Sequence, residues 1–245
     1  MGEYFDRFYS GAPFELFGAA HLSALGIITL ACLSLIYFRN VWGERERKRF
    51  RFTVATLLIL SELSWHAWAA YWGLWSIQTM LPLHMCSVFV WLTAYMLYTR
   101  NYQIYELAYF LGVGGALQAL ITPDAGPYGF PHYRAMQTFF AHGLLVIVPI
   151  YMTVVEGFRP TLSSLKRVFI WTNIYMSPVF FLNLAIGSNY LFIAYKPEFP
   201  TLLDALAPWP WYIIELEVVG LSILYLLYIP FLVKDWRAAR APAIA

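Results

Sequence analysis

Several residues in this chain have the types and spacing of a reaction centre, although the stretches around them are apolar. Cys86 stands in LPLHMCSV, two residues after His84; Glu62 and His66 are paired in SELSWHAW; His142 stands in TFFAHGLL. A cysteine is an effective nucleophile once deprotonated, and a neighbouring base or cation must bring its pKa down from about 8.5. His84 lies about 200° around a helix from Cys86, on the wrong side to reach the sulfur. His142, from another helix, is the better general base. Glu62 and His66 are four residues apart, on one helix face with the Glu N-terminal to the His, where they orient His142 or form a second proton relay. The bland alternative is packing. A cysteine in a bundle also serves as a small apolar residue, and a buried histidine is ordinarily satisfied by a hydroxyl or carbonyl. Cys32, with no ionisable neighbour, fits that description; Cys86 has polar neighbours. A disulfide between the two is not expected, since they fall at different depths of different helices.

The elements that must hold these groups follow from composition. The 245 residues are 60% hydrophobic, 19% aromatic and only 12% charged, against roughly 25% charged in ordinary soluble domains. An all-α, polytopic transmembrane bundle of one domain, 1–245, is expected, because in lipid only a helix or a closed barrel satisfies every backbone group. A span needs about 20 apolar residues. Seven segments are predicted to qualify: 18–38, 53–73, 80–98, 103–122, 135–158, 167–188 and 210–233. Of the 16 Lys and Arg, Arg39, Arg45, Arg47, Lys48, Arg49, Arg51, Arg100, Arg159, Lys166, Arg167, Lys234, Arg237 and Arg240 fall on one side. Arg7, Arg134 and Lys196 fall on the other. The positive-inside rule then places the N-terminus outside and the C-terminus in the cytoplasm, in agreement with an odd number of spans. The start carries Glu3 and Asp6 beside Arg7, unlike a cleaved signal. The expected location is the cell (plasma) membrane, multi-pass.

With that topology Cys86 and His142 sit at the same depth, about 10 Å below the outer surface at 1.5 Å per residue. His21, Gln118, Asn183, Glu215 and Glu217 fall in the same half, while the inner half reads as apolar. An ionisable group in a span is costly, at least ~2.5 kcal/mol, and marks a functional site by default. The cluster describes a polar cavity opening outward. Arg134 and Tyr133, with His132 beside them, stand at its mouth where a phosphate headgroup would lie; Gln118, Asn183 and Glu215 are further candidate substrate contacts. The loops 123–134 and 189–209, dense in Pro and aromatics, are expected to fold back as caps. No zinc-spaced Cys/His set, phosphate loop or haem motif occurs, so no metal and no cofactor is expected, and the scattered basic residues exclude a nucleic-acid stripe.

The runs LPLHMCSV, FPHYR followed by QTFFAHGLL, and LLDALAPWPWYIIELE resemble the bacterial YwaF-type integral membrane proteins. That family is similar in turn to a eukaryotic multispan acyltransferase that remodels ether phospholipids, and remotely to the androgen-induced-gene group of membrane lipid hydrolases. The resemblance implies a cysteine nucleophile at the Cys86 position and a histidine partner at His142, with membrane phospholipids and lysophospholipids as partners. The hydrolases use a hydroxyl nucleophile, and Ser87 keeps that variant open. An outward-facing cavity has no supply of acyl-CoA, so the expected reaction moves an acyl chain from a phospholipid to a lysolipid through a Cys86 thioester. The alternatives are ester hydrolysis at the same site, or a transporter or small-molecule binder.

Overall fold

The computed structural model describes residues 2–196 and 202–240. Those residues form helices and turns, with no strand among them. The helices are α1 (Ala19–Val41), α2 (Glu44–Tyr71), α3 (Met85–Thr99), α4 (Tyr102–Leu107), α5 (Val113–Ile121), α6 (Tyr133–Val154), α7 (Leu162–Ile186) and α8 (Tyr212–Arg240). A π-helical turn, Ala108–Gly112, joins α4 to α5, so that the two read as one interrupted helix of 20 residues. A helix is thus present at each of the seven expected places. Five are long and apolar enough to cross a membrane: α1, α4 with α5, α6, α7 and α8. The other two depart from that pattern for opposite reasons. α2 is 28 residues long but carries Glu62, Ser64 and His66; α3 is apolar but has only 15 residues, about 22 Å at 1.5 Å per residue.

Boundaries differ from the expected ones where charge was read as loop. The run ERERKRFR is the first two turns of α2, because Glu, Arg and Lys are good helix formers and Glu44 and Glu46 meet the positive end of the helix dipole. Residues 80–84, expected in the third span, are turn and coil before α3.

Packing divides the chain into two compact units. The first comprises residues 1–76 and 84–158, and α6 is its central helix, packed on α1, α2, α3 and α5. Residues 2–17 lie over one end of this unit. The Phe5 carbonyl accepts from both Trp68 Nε1–H (2.8 Å) and Trp72 Nε1–H (3.0 Å). The Tyr128 hydroxyl donates to the Arg7 carbonyl (3.0 Å). Gly129 is required there, since a Cβ would sit 2.3 Å from the Ala12 carbonyl oxygen. The loop 123–132 is thus a folded cap, as its composition predicts.

The second unit comprises residues 77–83 and 159–245. Thr161 and Ser164 form a reciprocal capping box at the start of α7, and Gly187, at φ 67°, closes its end in the left-handed conformation. Val179 of α7 packs with Tyr190 and Ile193, which follow the helix, into a small core. Of the expected outer cap 189–209, residues 197–201 lie outside the described part of the chain.

Candidate functional site in the first unit

Five of the expected site residues come from the same end of the first unit. Glu62 and His66 lie in the C-terminal half of α2, Cys86 in the first turn of α3, and Arg134 and His142 in the first half of α6. The antiparallel run of α2 against α3 and α6 brings these stretches to one level.

Cys86 is the second residue of α3. Its Sγ faces α5 at Gly115, where an added Cβ would lie 3.8 Å from the sulfur. His84 takes the N-cap position and its side chain caps no amide, so the amides of Met85, Cys86 and Ser87 keep the positive end of the helix beside the thiol. Among the described residues no hydrogen bond joins Cys86 to His142; the histidine's own bond is to the backbone.

That bond decides the chemistry of His142. A carbonyl only accepts, so Nδ1–H donates to the Thr138 carbonyl at 2.8 Å. The neutral ring therefore leaves the lone pair on Nε2, the nitrogen that acts as a base. His66 is fixed by the same logic. Trp75 Nε1–H donates to His66 Nδ1 at 3.0 Å, so the neutral ring carries its proton on Nε2, 3.6 Å from Glu62 Oε1. The pairing expected from their spacing is present. Glu62 is only 5% exposed.

Arg134 is held flat. Its guanidinium lies 3.5 Å over the Trp65 ring, and Nη1–H donates to Gln137 Oε1 at 2.8 Å. Gln137 in turn donates to Ser61 at 3.4 Å. The residue borders a cavity of roughly 200 Å³ whose other lining residues include Trp65, Trp68, Leu74, Asp124, Tyr128 and Thr138. A planar cation with free N–H groups at a cavity wall matches phosphate geometry.

The remaining candidates are differently occupied. Tyr133 hydrogen-bonds Ser64 (2.7 Å) and stacks on Phe5. His132 is fully buried: Nδ1 accepts the Arg134 amide (3.1 Å), Nε2–H donates to the Asp6 carbonyl (3.0 Å), and the ring stacks on Tyr128. It caps α6 and has no nitrogen left for a ligand; burial pushes its pKa below the usual histidine value. His21 is equally committed, between the Phe17 amide and the Leu120 carbonyl. Gln118 is exposed on α5.

Asn183 and Glu215 belong to the second unit, where each serves a loop. Asn183 donates to the Tyr190 carbonyl (2.9 Å) and accepts from the Tyr190 amide and the Ser188 hydroxyl. Glu215 accepts the Ala207 amide at 2.6 Å.

The expectation of an apolar opposite half needs correction. At the other end of the first unit the fully buried Glu156 carboxylate is paired with Arg51, with Arg100 at 2.8 Å and with the Tyr151 hydroxyl at 2.6 Å. Glu106 is also buried there, 2% exposed. The sequence reading placed Arg51 and Arg100 among the basic residues of the loops on one side. The available signal was a lone Glu closing the apolar run of α6, which needs a cation in so greasy a setting. Trp65, Gln137, Asp124 and Trp75 were likewise missed, since each reads as an interface aromatic or a loop polar residue.

No curated protein and no solved structure matches this chain significantly. The sequence profile of the TMEM164 family, a family of membrane proteins, matches residues 16–228, which include every residue of the cluster above. The chain therefore belongs to the TMEM164 family and is a multi-pass helical membrane protein.

Proposed function

We propose that the first unit is a membrane lipid acyltransferase, or transacylase, that moves a fatty acyl chain from a phospholipid to a lysolipid through a thioester on Cys86. The site would face outward from the plasma membrane, as the charge asymmetry of the loops favours. The observation that carries the reading is the position of Cys86 in the first turn of α3, on a helix packed against α6, where His142 keeps the lone pair of its Nε2. The likeness of LPLHMCSV and QTFFAHGLL to the YwaF-type proteins and their acyltransferase relatives supports the same two residues.

In this mechanism His142 Nε2 takes the thiol proton and the thiolate attacks the ester carbonyl of the donor. The collapsing intermediate expels the lysolipid alkoxide, which recovers the proton from His142, and the acyl group remains on sulfur. An acceptor hydroxyl then gives its proton to Nε2 and attacks the thioester, which restores the thiol. The amides at the start of α3 would stabilise the oxyanion of both steps. Arg134 would hold the donor phosphate. With water as acceptor the same site is an ester hydrolase.

The test is lipid turnover by the full chain reconstituted in vesicles containing a phospholipid with an isotope-labelled acyl chain and an added lysolipid. Labelled re-acylated acceptor is expected with the wild type and is lost in Cys86→Ser and His142→Ala. Free labelled fatty acid in its place would assign hydrolysis. Turnover unchanged in both variants would overturn the proposal.

A further inference from the structure

The Glu62 carboxylate is an expensive group to bury, and the mechanism above does not use it. Among the described residues no hydrogen bond reaches it; its near polar neighbour is His66 Nε2, at 3.6 Å. The charged and titratable groups around it are few. His66 lies on its own helix. Arg134 and Tyr133 on α6 and Cys86 on α3 are near enough for their charges and that of Glu62 to act on one another. Of these only Arg134 carries a permanent positive charge. Its position follows from neighbours that bracket Glu62 on α2: the guanidinium lies over Trp65, one turn on, and its partner Gln137 bonds Ser61, one residue back. A buried carboxylate that lacks hydrogen bonds stays ionised only while a cation is close.

Arg134 is also the group on the cavity wall that a phosphate would claim. Phosphate and Glu62 therefore compete for one cation. Resting on the reading of Arg134 as the phosphate site, we propose that binding of a phosphate group at Arg134 is coupled to uptake of one proton by Glu62, delivered through His66. The coupling keeps the buried charge constant. The resting pair, Glu62 anion and Arg134 cation, becomes a protonated Glu62 beside an Arg134–phosphate pair. The route is built in: the Trp75 hydrogen bond on Nδ1 turns the protonated Nε2 of His66 toward Glu62, and the His66 side chain is 24% exposed. His66 takes a solvent proton at Nδ1, as the Trp75 bond breaks, and passes its Nε2 proton to the carboxylate, which leaves a neutral ring protonated on Nδ1. The coupling also gives the site a preference: an arriving phosphate binds more tightly as the pH falls, by about tenfold per pH unit where Glu62 is ionised in the free protein, because one proton is linked to one ligand.

The experiment uses the full chain in detergent and three probes: dihexanoyl phosphatidylglycerol, glycerophosphoglycerol and inorganic phosphate. Binding is followed by isothermal calorimetry in two buffers of different ionisation enthalpy, which counts protons, and by the fluorescence of Trp65 under Arg134. Wild type should take up close to one proton per bound short-chain lipid, and Glu62→Gln should bind it with no proton uptake and with an affinity independent of pH. Lipid that binds without proton uptake in the wild type would overturn the coupling, whatever the variants do; uptake that persists in Glu62→Gln would overturn the assignment to Glu62. Absence of any binding at Arg134 would instead overturn the phosphate site itself. Equal affinity for the lipid and for inorganic phosphate would identify a free phosphate site and contradict the lipid reading; affinity that needs the acyl chains supports it.

Discussion

The two units bury polar side chains in different ways. In the second, Asn183 satisfies three partners of the 188–190 turn with a single amide, and Tyr190 uses its hydroxyl on the Ile77 carbonyl and the Leu81 amide. Four of these five bonds answer a backbone group that lipid would leave unpaired. In the first unit, among the described residues, Glu62 has its near polar neighbour beyond hydrogen-bond distance, Cys86 has no hydrogen bond, and His142 keeps one nitrogen uncommitted. Satisfied groups hold a fold, whereas groups left under-satisfied at a cost are kept for something else.

That contrast predicts opposite outcomes for substitution in the two places. The largest effect is expected at Cys86→Ser, which should lower lipid turnover by about a thousandfold and leave the thermal unfolding midpoint in detergent unchanged. Asn183→Ala should do the reverse. It strands the Tyr190 amide and carbonyl and the Ser188 hydroxyl, at on the order of 3 kcal/mol, visible as a lower unfolding midpoint, while protein that remains folded keeps its turnover per molecule. A loss of stability in Cys86→Ser equal to that in Asn183→Ala would erase the distinction.

Smaller effects sharpen it. Arg134→Lys keeps the charge but loses the flat stack on Trp65 and the aligned bond to Gln137, and should raise the KM for phospholipid about tenfold with little change in kcat. The smallest effect concerns His132. Its ring must be neutral for Nδ1 to accept the Arg134 amide, and burial holds its folded pKa below the ordinary 6.5. The stability it contributes is present above pH 6.5 and is lost as the pH falls through the lower folded value, by roughly the 1 kcal/mol of a helix cap. His132→Asn, which caps without titrating, should flatten that slope in unfolding midpoints measured between pH 7 and pH 5.

The helices were legible in the sequence because membrane segments announce themselves by composition, and Glu62 with His66 was legible because four-residue spacing fixes a helix face. What escaped had tertiary causes. The pairing of Glu156 with Arg51 and Arg100 joins residues more than fifty positions apart. Trp65 gives no sign in sequence that it carries a guanidinium, and Trp75 none that it sets a tautomer. Asn183 and Glu215 looked like cavity residues because depth alone does not separate a loop cap from a site.

Acyl transfer through Cys86 is read from the intact mass of the purified chain after incubation with phospholipid, before and after hydroxylamine. A gain equal to one fatty acyl chain is expected, removed by hydroxylamine and absent in Cys86→Ser. A wild-type mass that stays unchanged while lipid turnover proceeds, or an adduct that survives in Cys86→Ser, would contradict it.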